Sequence, residues 1–491
     1  MMKRAWLMCA AAALSMPAEA QLSAPVKNGD TTITVTGTRQ RQPGEPKIEM
    51  SSWRMAETPH VVVFSQGDEK LLVNAASKLE KLHFLLTALT GRVGDPDDTI
   101  KIAVTMIDDA GGFEQLRLTD SRWQYGPYVP QFTKTVYYDP REEGPVLAST
   151  NAGVNLIIRP SEGKPTSRNC VAGEGDQSLQ SVSFAPSIDP TTGAEDWSGI
   201  AGQLPRNEIA FCLPAESRLY SGFAQNYLMT YFPAAYPRWY LQGFGEMFAT
   251  MLAKDDYVEY GHVPVGFWRV MEEFHDFPVA QLLDGRYLNT KRSWTPYHAW
   301  RIAHMLYFSE EWKPKLKAYL AALARGEDQK SAAALLGDSG ELQRAVNNYR
   351  GRKMQHERLT FPAGQIPEPS VRRLTRAEAG LVRGRLELVP RIELPEGDTA
   401  RAYAARQRDA WLNQLRTNAQ RFPALIENHL LLAEAECRSG NAAECLASAD
   451  RALAMTSDEP SALVWKGSAM TQLAVRGPAP NAPRGSRKHA G

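Results

Sequence analysis

The stretch Glu216–Met251, ESRLYSGFAQNYLMTYFPAAYPRWYLQGFGEMFATM, constrains the chain more than any other part of it. Tyr, Phe, Leu and Met recur there at helical spacing, the pattern of side chains that pack into a core. A Pro-containing turn divides the run, because proline removes a helical N–H and clashes with the turn before it. The reading is two adjacent helices. Ser221 and Gln225 stand four residues apart, so they share one helical face. With Gln242 of the second helix they are expected to converge on one cleft between the two.

A chain of 491 residues is long for one domain, and two or three are the expectation. A hydrophobic content of 43% with 23% charged residues supplies an ordinary globular core. The formal net charge of +1 argues against a dedicated nucleic-acid binder. No run of eighteen apolar residues follows the N-terminus, so no transmembrane span is expected. Lys3 and Arg4, the apolar run Ala5–Met16 and the small-x-small site Ala18-Glu19-Ala20 read as a secretory signal peptide over residues 1–20. Export to the periplasm or beyond follows, and Cys9 sits inside the apolar run rather than at its end, which speaks against a lipid anchor.

Residues 21–52 are polar and rich in Gly, Pro, Thr and Gln, and read as a linker. A domain opens at Trp53. The β-branched run 60–65 and the run 100–107 read as strands. Between them Leu71, Leu72, Ala75, Leu79, Leu82, Leu86 and Leu89 recur at helical spacing up to Gly91, a helix stop. Short strands are expected at 135–138, 153–158 and 208–212, with a long Gly/Ser/Pro-rich surface loop at 160–206. Residues 255–266 read as a loop or hairpin, and helices follow at 266–275, 295–308, 311–325, 328–336 and 339–350. Residues 351–400, rich in Pro and Arg, read as an extended connector.

The helical pair, set in this order of elements, resembles the active-site core of the gluzincin metallopeptidases, in particular the bacterial secreted peptidase-MA-like families. In that family the first helix carries H-E-x-x-H and the second a ligand Glu within a W-x-x-E-G-x-x-E-x-F-A-like segment. The resemblance covers residues 53–350. It extends through Trp294–Leu306, similar to the family's later helix that opens on a Tyr, here Tyr297, and through the tail Glu310–Tyr349. It implies an α+β fold: N-terminal βαβ-type elements and a mainly helical zincin-like core. It also implies that Ser221, Gly222 and Gln225 occupy the positions of His, Glu and His, and Gln242 that of the ligand Glu. Glu246 matches the second acidic position, which is not the ligand, and Tyr297 and His304 become neighbours of the cleft.

Zinc takes His nitrogen, Cys sulfur or carboxylate oxygen. Ser221, Gln225 and Gln242 bring none of these, and Gly222 has no side chain to act as a base. The expectation is no bound zinc, no other cofactor and no zinc-dependent peptidase activity. A metal site built from the nine histidines elsewhere has no H-x-x-x-H pair to mark it; each reads singly as a packed or surface residue, and Glu272, Glu273, His275 and Asp276 as a solvated face. Neither a G-x-S-x-G elbow nor a phosphate-binding loop is present. Two functions stay open: an exported, non-catalytic protein that binds a peptide or protein partner through the former substrate cleft and the C-terminal helices, or a secreted hydrolase with an unconventional site.

From residue 401 to 475 the chain is alanine-rich and helical, and counted as a 34-residue unit from Ile426 it is similar to a tetratricopeptide repeat, with Ala433, Gly440, Cys445 and Ala452 at the small-residue positions. Residues 476–491 form a basic, Pro/Gly-rich tail expected to be disordered. Four cysteines remain after the leader. Cys437 ends one helix and Cys445 lies one turn into the next, so their side chains can meet across the turn, and export supplies the oxidising compartment. Cys170 and Cys212 are then left to pair.

Overall fold

Val61, Val62, Val63 and Phe64 favour a pleated backbone packed on both faces. In the computed structural model, strand β1 (Met50–Glu57) turns back into β2 (Val61–Ser65), and helix α1 (Glu69–Thr90) carries the chain to β3 (Ile102–Met106). Asp68 caps α1 by accepting from the backbone N–H groups of Lys70 and Leu71. Gly91 ends it at a φ of 74°, a left-handed conformation that a side chain would strain.

The structure describes residues 49–96, 98, 100–107, 148–149, 155–158, 187–188, 195–196, 215–264, 267, 271, 279–283, 295–349, 354–392, 394 and 397–476. The expected leader, nearly all of the linker, the 160–206 loop apart from its four described residues, the strands at 135–138 and 208–212, Cys170, Cys212 and the tail beyond 476 lie outside them.

The elements after β3 are β4 (Ala148–Ser149), β5 (Asn155–Ile158), the small ladder β6 (Ser187–Ile188) with β7 (Glu195–Asp196), and then α2 (Ala215–Tyr231) and α3 (Arg238–Ala249). They continue with β8 (Leu252–Ala253), β9 (Tyr257–Tyr260), α4 (Val279–Leu283), α5 (Thr295–Phe308), α6 (Lys313–Ala324), α7 (Gln329–Ala333), a 3-10 turn (Ala334–Leu336) and α8 (Ser339–Asn347). The last group is β10 (Glu357–Thr360), β11 (Ser370–Thr375), α9 (Arg376–Ile392), α10 (Asp398–Arg421), α11 (Ile426–Arg438), α12 (Ala442–Met455) and α13 (Pro460–Arg476).

This is an α+β arrangement. The main sheet has the order β11-β1-β2-β3-β5-β4; β2, β3 and β5 run parallel, and β1, β11 and β4 are antiparallel to their neighbours. The β2–α1–β3 unit is the βαβ crossover expected from the sequence. Leu72, Leu79, Leu82 and Leu86 of α1 pack on Val61, Val63, Ile102 and Val104 of the sheet and on Phe223 and Tyr227 of α2 in one core. α2 lies against α1, α3 against α2, and α5 against the other side of α3.

Residues 351–400 differ from the extended connector read in the sequence. They hold β10, which pairs with β9, and β11, which closes one edge of the main sheet against β1, followed by α9. Strand pairing between residues about three hundred positions apart, Glu57 with Ser370, leaves no local signature in a Pro/Arg-rich composition. β11 and α9 tie the C-terminal helices to the sheet, and Glu49 accepts from both Arg376 and Arg421. α9, α10 and α11 share a core of Leu388, Trp411, Leu412, Leu415, Leu431 and Leu432. The hairpin of α11 and α12 is closed by the expected Cys437–Cys445 disulfide. Among the described residues no helix is long and apolar enough to cross a membrane.

Candidate functional site

The α2–α3 contact brings Ser221 and Gln225 of α2 against Gly245 of α3. Gln225 Nε2 lies 3.4 Å from Ser221 Oγ on one face of α2. That face meets Gly245 of α3: a Cβ there would sit 2.5 Å from Ser221 Oγ and 2.8 Å from Gln225 Nε2. Two residues earlier the opposite face of α3 meets α5, where a Cβ on Gly243 would fall 2.4 Å from the Ala299 carbonyl oxygen and 2.6 Å from Ala303 Cβ. The Gln242-Gly243-Phe244-Gly245 run is therefore a spacer that lets three helices approach backbone to backbone. Ser221, Gln225, Gln242 and Glu246 are all buried, Gln242 and Glu246 both have interaction partners, and the first two positions are covered rather than lining an opening. Gln225 Oε1 has no hydrogen-bond partner among the described residues.

Zinc, which the family resemblance implies, does not fit here. The donor set of a hydroxyl and two amides brings no charge to offset desolvation of a dication.

Tyr297 and His304 of α5 are fully buried. His304 Nε2 donates to the Gly261 carbonyl at 2.9 Å and Nδ1 accepts from the Tyr349 hydroxyl at 2.7 Å. Burial pushes this imidazole down to about 4, against the raising effect of its backbone hydrogen bonds, so it is neutral near pH 7. Both nitrogens are engaged in neutral bonds, which makes His304 a packing residue.

A second polar cluster was not legible in the sequence. It lies where β2 and β3 begin and α1 ends. His60 precedes β2, Glu80 and His83 lie in the C-terminal half of α1, and Asp98 precedes β3. Glu80 Oε1 accepts from His60 Nδ1 at 2.6 Å, and Glu80 Oε2 accepts from Thr58 Oγ1 at 2.6 Å and from the His60 backbone N–H at 3.2 Å. His83 Nε2 stands 3.4 Å and His60 Nε2 3.9 Å from Asp98 Oδ2. Tyr231 of α2 donates to the other Asp98 oxygen at 2.5 Å, and the Tyr227 hydroxyl meets Thr90 Oγ1 at 2.9 Å. The two imidazoles stack, with centroids 4.0 Å apart.

Charge separates the two rings. The hydrogen bond to Glu80 holds His60 above its ordinary value, outweighing burial. Burial, and then the charge on His60, push His83 down to about 4. Burial would raise Glu80, but its bonds from His60 and Thr58 hold it below the usual carboxylate range. Side-chain exposure falls from 25% at His60 to 6% at Asp98 and 2% at His83, so the cluster is reached from the His60 side.

A third group, Glu259, His262 and His356, lies by β9 and β10. There Arg358 already neutralises Glu259.

The signal for the βαβ cluster is topological. A crossover helix runs back alongside its strand, so residues just before two parallel strands meet the last turns of the helix between them. Residues 60, 80, 83 and 98 satisfy that rule, yet no sequence spacing displays it.

No protein-family model, no curated protein and no solved structure matches this chain.

Proposed function

We propose that the chain is an exported, non-catalytic protein, a peptidase-like scaffold with C-terminal helices of tetratricopeptide type, which acts by binding a peptide or protein partner. The observation that carries this reading is the contact of Gly245 with Ser221 and Gln225. Where the resembled family holds a dication and an attacking water, this chain has neutral side chains under a closed helix–helix contact. The Cys437–Cys445 disulfide, formed in oxidising compartments, supports export.

The binding half of the reading draws on α13, the last described helix. It leaves Leu463 (50%), Val464 (64%), Met470 (56%) and Leu473 (39%) exposed at helical spacing. In helical-hairpin arrays such a face is where the next helix, or a partner segment, is laid down.

Two measurements test the proposal. Purified protein incubated with an unstructured substrate such as casein should show no hydrolysis that a chelator abolishes; such hydrolysis would overturn the non-catalytic half. Peptides selected from a displayed library on the full chain should lose about tenfold or more in affinity, roughly 1.4 kcal/mol, with Leu463→Glu/Met470→Glu. Selected peptides indifferent to those substitutions would remove α13 from the reading.

A further inference from the structure

The expectation of a metal-free protein rests on the α2–α3 positions and on reading each remaining histidine singly, as a packed or surface residue. His60, His83 and Asp98 lie elsewhere, and their donors are of a different kind. We infer that His60 Nε2, His83 Nε2 and Asp98 Oδ2 form a binding site for one divalent first-row transition ion of the Zn²⁺ class, which clamps the entries of β2 and β3 to the end of α1.

Three independent observations support the site. The first is proximity. The three ligand atoms lie within 4.8 Å of one another, and the two Asp98 distances are 3.4 and 3.9 Å. Ligands on a tetrahedral ion with bonds of about 2.05 Å stand about 3.3 Å apart, so the two contacts with Asp98 need to close by about half an ångström or less. The second is an unpartnered atom. His83 is 2% exposed, and its Nε2 stands 3.4 Å from Asp98 Oδ2 without the alignment of a hydrogen bond and has no other partner among the described residues. The third is the surrounding shell. Glu80 accepts from His60 Nδ1 and so leaves Nε2 as the metal-facing nitrogen, the carboxylate–histidine arrangement that orients metal-binding imidazoles. Tyr231 holds the non-ligating oxygen of Asp98.

Charge balance agrees. Two carboxylates, Glu80 and Asp98, face the two rings. The nearby cations are committed elsewhere: Arg92 to Asp95 and the Tyr231 ring, and Lys101 to Glu57. One dication balances the two carboxylates. Two imidazoles with one carboxylate favour a transition ion over Ca²⁺ or Mg²⁺, which take oxygen donors. In the Glu259 group the carboxylate is already held by Arg358, so the same argument fails there.

The stacked rings set a condition. An imidazole lone pair lies in its ring plane, and planes 8° apart cannot both point at one ion. One ring must turn. His83 is fixed inside α1, whereas His60 sits in the bend before β2 and is partly exposed. The turning ring is therefore His60, pivoting on its bond to Glu80.

The test uses the full chain, stripped with a chelator and titrated with Zn²⁺ by calorimetry near neutral pH, with Co²⁺ as a spectroscopic substitute. One equivalent should bind. His60→Gln and Asp98→Asn should each weaken binding about 100-fold or more, and Glu80→Gln about 10- to 100-fold. Glu259→Gln should leave binding unchanged. Asp98→Asn keeps an oxygen for Tyr231, which protects the fold. X-ray absorption on zinc-loaded wild type needs no variant and should count two imidazoles and no sulfur. Absence of uptake by wild type, uptake that His60→Gln and Asp98→Asn leave intact, or a spectrum without two imidazoles each overturns the site.

Discussion

The α2–α3–α5 junction and the end of the β2–α1–β3 unit are two buried polar spots in one hydrophobic core, and their chemistry is opposite. The junction stands where the proposed resemblance would put a metal, yet it holds hydroxyl and amide groups under glycine-close helices. The βαβ end has no motif, yet it holds two imidazoles, two carboxylates and a tyrosine within bonding reach of one another. A frame in sequence fixes where side chains go. Which atoms arrive, and whether there is room between them, decides what the place can do.

The largest effect that tests this contrast is at Gly243. A Cβ there meets a backbone oxygen of Ala299 at 2.4 Å and Ala303 Cβ at 2.6 Å, neither of which can yield without parting α3 from α5. Gly243→Ala should cost about 3 kcal/mol, read as a fall in the urea midpoint. Gly245→Ala meets two side-chain atoms that can rotate, Ser221 Oγ and Gln225 Nε2, before the Ser221 backbone oxygen at 2.9 Å, and should cost less, about 2 kcal/mol. A Gly245→Ala protein as stable as wild type would mean a looser α2–α3 contact with space for ligand side chains, and the contrast would weaken.

The next effect is a pH dependence at His304. Unfolded, this residue takes a proton near pH 6.5, roughly the free value, whereas folded it does so only at about 4. Protons therefore favour the unfolded chain below about pH 6.5. The contribution is complete above that pH and is lost as pH falls through the window to 4. It amounts to about 3 kcal/mol. The stability difference between wild type and His304→Gln should shrink by that order between about pH 7 and pH 4.5. A constant difference would show that His304 is not held neutral by burial.

Local signals carried much of the fold. The helix over 69–90 was legible from its leucine spacing and Gly91, the helix over 295–308 from its apolar pattern, and the Cys437–Cys445 bridge from the hairpin turn. Each depends on residues within a few turns of one another. What escaped depends on distant partners. β11 is a strand because β1 offers it an edge some three hundred residues away. Gly243 and Gly245 look like weak points in a helix until α2 and α5 are brought to either side. His60, His83 and Asp98 read as unrelated residues until the crossover returns the end of α1 to the start of the strands.

The smallest effect is the most diagnostic of what the junction is for. Gln225 Oε1 is buried without a hydrogen-bond partner among the described residues, and its Nε2 makes only a 3.4 Å contact with Ser221. A buried acceptor left unsatisfied costs about 1–3 kcal/mol, and a bond so long returns little of it. Methionine has nearly the same length and flexibility and no oxygen to desolvate. Gln225→Met should thus hold stability level or raise it by about 1 kcal/mol, and leave peptide binding by the full chain unchanged. A junction that had kept a working role for its amide would respond differently. A loss of stability above about 1 kcal/mol would reveal a bond that Oε1 makes to a water or to another part of the chain. A loss of peptide binding at unchanged stability would place Gln225 in contact with the partner. Either result would erase the distinction between a filled-in site and a live one.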